Sequence, residues 1–347
     1  MHDNNRNSIM MSQQRKSRWG YPLAVSVLGM LPPAGVFAAE QPGEGVTVTP
    51  IFPTITEEHF RGQVAIIGLE ELGYEVEQPK ETDYPTMMMA LSYGDADFTV
   101  HLWDKLHDSF YQRAGGDDSM VKAGDVMDGV IQGYLIDKKT AEEYEIESMD
   151  DLRDPQIAAL FDTNDDGKAD LTGCNPGWGC EVTVDHHLAA YDLMDTVAQN
   201  RGSYFALMAD TITRYEQGEP ILYFTWVPQW ITAELVPDED VVWLEVPYTD
   251  LPDGNNDVDT EYNGKNLGFA VDTIKAVLNR DFAEENPVAR EFLSHLAISV
   301  DAESAQNLKM QQGESSQEDI RGHAEQWVEA HREQFDEWLA EARAAAE

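Results

Sequence analysis

Between residues 46 and 102 the apolar residues change their spacing four times, and this alternation restricts the fold more than any other feature of the chain. Residues 46–52 alternate as a half-buried strand does. Thr54-Ile-Thr-Glu offers a capping box, and residues 57–72 then keep helical spacing up to Gly73. Residues 74–77 read as a second strand and 84–91 as a second helix stopped by Gly94. Residues 98–102 form a third strand. A β-α-β-α-β start predicts an α/β fold, a parallel sheet covered by helices.

The later pattern predicts strands over 130–136, 220–226, 241–246 and 267–277. Helices are expected over 139–144, 149–160, 184–199 and 204–217. From about Pro287 the chain is helical and ends in one long amphipathic helix over 318–345. With 347 residues there is enough chain for two lobes of ~150 residues. The expected division is residues 39–130 plus 266–347 for lobe 1 and 131–265 for lobe 2. The chain would cross near 128–133 and 264–269, and two crossings make a hinge with a ligand cleft between the lobes.

Charge excludes several partners. Lys and Arg number 23 against 65 Asp and Glu, a formal net charge of −42. Such a surface repels phosphate backbones and anionic lipid, so neither nucleic acid nor membrane docking is expected. The acid is spread along the chain, which suits a surface built for strong salt.

Residues 1–38 carry the marks of an export signal. Arg15, Lys16 and Arg18 precede a short apolar run over 21–31, and Val36-Phe37-Ala38 precedes Ala39. Met10 or Met11 could be the true start. Cleavage after Ala38 removes four Lys/Arg and one Asp, which moves the net charge to −45. An exported chain with only Cys174 and Cys180 is expected to close them into a disulfide.

Three tryptophans stand out. Trp327 and Trp338 lie in the last helix and Trp243 in an apolar strand, so these read as packing, and Trp230 has no assignment. Trp103, Trp178 and Trp226 instead sit at strand ends or in a Gly-rich loop. Each alone fits a core as readily as a site. Together three indole faces can cage a quaternary ammonium group by cation–π attraction. His107 lies four residues after Trp103 and could donate to an anionic group on the same ligand, or simply be a surface or capping residue.

Gly173-Cys174-Asn175-Pro176-Gly177-Trp178-Gly179-Cys180-Glu181 is the most distinctive segment. It runs into a predicted helix, so the Gly179 and Cys180 amides could hold a carboxylate, unless the loop is only a stapled turn. Asp162, Asn164, Asp166, Lys168 and Asp170 fall on the first ligand positions of an EF-hand-like loop with Gly167 sixth. Gly173 replaces the bidentate Glu at the twelfth position. The loop is therefore a candidate structural calcium site, with an ion-free loop of Asx turns the stronger reading; no other cofactor is expected. His186-His187 beside Asp185 has the wrong spacing for zinc on a helix. Hydrolase-elbow, phosphate-loop, dinucleotide and zinc-protease signatures are all missing, so no enzyme is expected.

The Cys174–Cys180 segment with the preceding Asp-Gly-Lys-Ala-Asp-Leu-Thr resembles the ProX-type periplasmic glycine betaine/proline betaine-binding proteins. Thr54-Ile-Thr-Glu-Glu, Leu106-His-Asp, Gly133-Tyr-Leu-Ile-Asp-Lys-Lys-Thr-Ala, Asp210-Thr-Ile-Thr-Arg-Tyr and Asp240-Val-Val-Trp-Leu carry the resemblance along the chain. It implies a type II-like two-lobe binding fold and capture of a small zwitterionic quaternary amine in the periplasm, without catalysis. The partner implied is the permease of an ABC importer with its cytoplasmic ATPase, and the binding protein itself is expected as a monomer. The resemblance puts the ammonium cage on Trp103, Trp178 and Trp226 and the carboxylate site on His107, Gly179 and Cys180. A choline or carnitine binder is the first rival reading.

Overall fold

The computed structural model describes residues 41–252, 254 and 256–346, so the export-signal expectation lies outside the described residues. Two short parallel pairs open the fold. They are β1 (Thr47–Val48) with β3 (Glu75–Val76), and β2 (Ile51–Pro53) with β4 (Lys80–Thr82). The helix between them, α1 (His59–Glu71), is buried along most of its length. It can be so because Gly62 and Gly68 leave room for the Phe52 and Phe292 rings; a Cβ at either glycine would lie within 2.3 Å of ring carbon. Asp83 caps α2 (Tyr84–Tyr93) by accepting the Thr86 N–H, and Gly94 ends it in the left-handed region.

β5 (Phe98–Trp103), buried at every residue, runs into a tight turn and then α3 (Asp108–Arg113). β6 (Met120–Asp137) is the longest strand and changes partners midway. Its residues 120–130 pair antiparallel with β13 (Asp272–Asn279). Its residues 131–136 pair antiparallel with β9 (Leu222–Val227), and β10 (Val241–Leu244) lies against residues 134–137. The change falls beside Gly129, whose φ is 73°. Two further strands, β7 (Ala169–Thr172) and β8 (Val197–Asn200), complete the order β5-β13-β6-β9-β7-β8. A small hairpin, β11 (Glu261–Tyr262) with β12 (Lys265–Asn266), lies apart.

Helices cover each half of this sheet. α4 (Lys138–Tyr144), α6 (Gly179–Ala190) and α7 (Tyr204–Glu216) pack on β10, β8 and β7, while α5 (Pro155–Ala158) and α8 (Ile231–Glu234) fill connections. The β5–β13 half is covered by α1 and by the C-terminal helices. Those are α9 (Arg280–Glu285), α10 (Pro287–His295), α11 (Val300–Gln311), α12 (Gln317–Ala330) and α13 (Arg332–Ala344). The C-terminal helices thus return to the first part of the chain. Val64, Leu69, Val100, Phe292, Phe335 and Leu339 are fully buried where these layers meet.

The α/β architecture holds, but the main sheet is mixed, because β13 returns antiparallel to both β5 and β6. Residues 120–129 are strand although Lys122, Gly124 and Asp125 interrupt any apolar alternation; pairing with β13 overrides the local pattern. The helix expected over 184–199 stops at Ala190, Asp192 turns with φ 55°, and residues 197–200 form edge strand β8. Pro155 splits the helix expected over 149–160. The last helix breaks at His331 into α12 and α13. Thr54 makes no cap; α1 is entered through a 3-10 turn, Thr56–Glu58, that drives the Glu58 side chain inward.

Candidate functional site

The site begins where β5 ends. Trp103 is the last residue of the strand, and one turn later the His107 N–H bonds back to the Trp103 carbonyl at 2.9 Å. Both side chains are thereby set on one face. The turn between them is pinned from another strand, since the two Asp272 carboxylate oxygens accept the Lys105 and Leu106 N–H groups, each at 2.9 Å. Burial raises the Asp272 pKa, and the three backbone N–H groups it accepts oppose that rise.

The second wall is the cystine loop. Cys174 and Cys180 form a disulfide with their Cα atoms 6.2 Å apart. Gly177 turns with φ 89° while its N–H bonds Glu181 at 2.8 Å, and Trp178 stands at the N-cap of α6. Gly179 and Cys180 open the helix, where amides have no carbonyl one turn back. Gly179 also abuts His107: a Cβ there would lie 2.9 Å from the imidazole Cδ2 and 3.1 Å from Nε2. Only glycine lets this amide approach the ring so closely.

Trp226, near the end of β9, supplies the third element. Its ring meets Trp178 edge-on, centroids 5.7 Å apart and planes 81° apart. Tyr204 backs both indoles, 4.9 Å from Trp226 and 5.9 Å from Trp178. Its hydroxyl donates within hydrogen-bond range of the Phe224 carbonyl and Thr225. Asn175 in turn accepts the Tyr204 N–H at 2.6 Å, which ties the loop to α7.

One cavity is lined by Trp103, His107, Trp178, Gly179, Cys180 and Trp226. The six residues that the sequence offers for the ligand site therefore meet at one place, from β5, the turn after it, the cystine loop and β9. The remaining wall comes from Ile55, Glu58, Tyr84, Leu106, Gln132 and Phe224. Trp243 and Trp338 are buried away from the cavity, and Trp327 stacks on His331.

His107 is almost wholly buried, with its ring 3.9 Å from that of Tyr84 and its Nδ1 without a hydrogen-bond partner. Burial pushes its pKa down to about 3. The imidazole is neutral at physiological pH and so carries one N–H donor. Sequence reasoning did not single out three neighbours. Glu58 accepts the Trp103 indole N–H at 3.3 Å, Tyr84 flanks His107, and Asp272 pins the turn. Only Glu58 left a trace, as the end of the Thr54-Ile-Thr-Glu-Glu motif.

The candidate calcium loop uses its oxygens internally. Asp162 accepts N–H groups of Asn164, Asp166 and Gly167, which hold its pKa below the usual carboxylate range. Asp170 accepts from Thr163 and Asn164, and the Lys168 ammonium bonds the Met194 carbonyl. Among the described residues no group of three or more His, Cys, Asp or Glu is placed to hold a metal, so the calcium expectation gains no support. His186 pairs with Asp250 at 3.0 Å while His187 bonds the Tyr134 hydroxyl at 2.9 Å, so the adjacent histidines point apart.

Residues 46–330 match OpuAC, the substrate binding domain of ABC-type glycine betaine transport systems. The glycine betaine-binding periplasmic protein OusX of Dickeya dadantii (strain 3937) is 51% identical over 314 residues, 90% of this chain and 95% of that protein. The glycine betaine/proline betaine-binding periplasmic protein of Escherichia coli (strain K12) is 51% identical over 310 residues, 89% of this chain and 94% of that one. Among solved structures, lactococcal OpuAC in its closed form with glycine betaine aligns with a TM-score of 0.65 at 20% identity, over 85% of this chain and 99% of that chain. A choline-binding protein of an ABC transporter, in complex with choline, aligns at 0.68 and 18% identity, over 86% and 96%. At that identity the two structures speak to the two-lobe α/β fold alone. The chain belongs to the family of substrate-binding domains of ABC-type glycine betaine transport systems, a family of binding proteins rather than enzymes.

Proposed function

We propose that this protein captures glycine betaine, and proline betaine with it, in the periplasm and presents it to the permease of an ABC importer. The observation that carries this reading is the convergence of three indoles, one neutral imidazole and the first amides of α6 on one cavity. In it Trp103, Trp178 and Trp226 face the methylated ammonium, each worth ~0.5–2 kcal/mol, the upper end when desolvated. A fully methylated nitrogen has no N–H, so aromatic faces suit it better than a hydrogen-bonding carboxylate. His107 and the Gly179 and Cys180 amides take the carboxylate. Residues 39–130 with 266–347 form one lobe and 131–265 the other. Trp103 belongs to the first, Trp178 and Trp226 to the second, so a ligand held by both favours closure by its differential affinity.

Titration calorimetry with glycine betaine, proline betaine, choline and carnitine tests the reading. Glycine betaine is expected to bind more tightly than choline, which leaves the His107 and loop donors unpaired at a cost of about 1–3 kcal/mol. Choline binding more tightly than glycine betaine overturns it.

The protonation state of His107 makes a second expected outcome. Its ligand-free pKa of about 3 lies below the ordinary histidine value, so from pH 6 to 8 the ring keeps its single N–H and takes up no second proton. Binding through the neutral N–H takes up no proton, and glycine betaine affinity stays flat over that window. If binding required the imidazolium, affinity would climb as pH falls, up to about tenfold per unit. A slope of that kind in calorimetry assigns the wrong protonation state to His107.

A further inference from the structure

Glu58 is a buried carboxylate on the cavity wall, and both of its oxygens are in use. Oε1 accepts the Trp103 indole N–H at 3.3 Å. Oε2 accepts the Tyr84 hydroxyl at 2.7 Å and pairs with Arg61 Nη2 at 2.6 Å. Arg61 is itself fully buried, donates from Nε to the Val100 carbonyl at 3.2 Å, and pairs through Nη1 with buried Glu303 on α11. The Tyr84 ring lies 3.9 Å from the His107 ring. A single carboxylate therefore touches the Trp103 indole and, through one tyrosine, braces the His107 imidazole.

We propose that Glu58 is a positioning residue for both ends of the site, holding the Trp103 ring for the ammonium group and, by way of Tyr84, the His107 ring for the carboxylate. The inference rests on the betaine reading above and goes beyond it. Trp103 and Tyr84 donate to different oxygens of Glu58 and the Arg61 guanidinium pairs with its charge, so the position needs two acceptor oxygens. Glutamine fits the space but has one. The charged Arg61 competes best for that oxygen, which turns the amide N–H groups toward the Trp103 N–H and releases the indole.

Calorimetry with glycine betaine tests this on the full chain. Glu58→Gln is expected to raise Kd about tenfold in protein whose circular dichroism shows it folded. Phenylalanine has no N–H for Glu58 to hold. On a Trp103→Phe background the same substitution is therefore expected to cost threefold or less, a non-additivity that loss of general stability does not produce. Tyr84→Phe keeps the ring beside His107 and removes only the hydroxyl, and about a threefold rise in Kd is expected. A Glu58→Gln Kd within twofold of wild type, or additive effects in the cycle with Trp103→Phe, overturns the proposal. Should Glu58→Gln fail to fold, an unchanged Kd for Tyr84→Phe overturns it instead. A wild-type chain that ignores glycine betaine overturns both this inference and the functional reading, whereas wild-type binding with indifferent variants removes this one alone.

Discussion

Trp178→Ala raises the dissociation constant for glycine betaine at least tenfold. The indole is one wall of the cavity, set edge-on to Trp226 and backed by Tyr204. Its removal takes away one cation–π partner worth up to ~2 kcal/mol at a desolvated site, roughly thirtyfold in affinity. It also opens the cavity to water, which weakens the attraction of the remaining rings for the cation. The backbone consequences are contained. Trp178 caps α6 with no side-chain hydrogen bond, and the disulfide continues to close the loop around it. Trp178→Phe serves as the control, since a smaller ring retains part of the effect and should lose only about threefold. Calorimetry on folded protein decides the matter. An alanine variant with wild-type affinity would mean that the cavity of the three indoles is not where the ammonium group sits.

The sequence made the parts of this site legible and left their supports hidden, for a physical reason. Trp103, His107, Trp178, Gly179, Cys180 and Trp226 are legible as candidates at strand ends and in a Gly-rich loop between two cysteines, and as one site only through the family resemblance. Glu58, Tyr84 and Asp272 are ordinary residues, and what distinguishes them is where the fold brings them. Glu58 lies 45 positions from the indole it holds, and Asp272 lies 166 or more from the amides it pins. Nothing in local spacing carries such a relation. The fold shows the same limit. Helices with local caps, such as α2 with Asp83 and Gly94, follow the pattern closely. The first half of β6 and all of β8 exist through pairing with distant strands, so their own residues give little sign of them. The EF-hand-like spacing over 162–170 shows the opposite limit, a pattern that fits two readings at once. Asx turns need the same Asp and Asn residues that calcium does, and here the backbone N–H groups take the oxygens.

Raising KCl from 0.05 M to 1 M should lift the melting temperature by about 5 °C, and the rise should flatten beyond. The chain carries −42, and the lysines do little to offset the acid across the surface. Lys80, Lys105, Lys138, Lys168 and Lys265 bond backbone carbonyls, while Lys122 and Lys275 pair with one carboxylate each at close range. With 23 Lys and Arg against 65 Asp and Glu, most carboxylates are left without a cationic partner even where arginines pair with them. Two charges ~10 Å apart in water repel by about 0.4 kcal/mol before screening. Dozens of such pairs amount to several kcal/mol, part of which persists in the unfolded chain. The screening length shrinks from about 14 Å to about 3 Å over this range of salt, so most of the repulsion disappears. A gain of about 3 kcal/mol shifts the melting point of a domain this large by several degrees. Screening saturates once its length falls below the spacing between charges, whereas general strengthening of apolar burial by salt continues to grow with concentration. Calorimetric melts across the series separate the two. A melting temperature that stays level up to 1 M, or that begins to climb only above it, removes surface self-repulsion as the cost that this acidic chain carries.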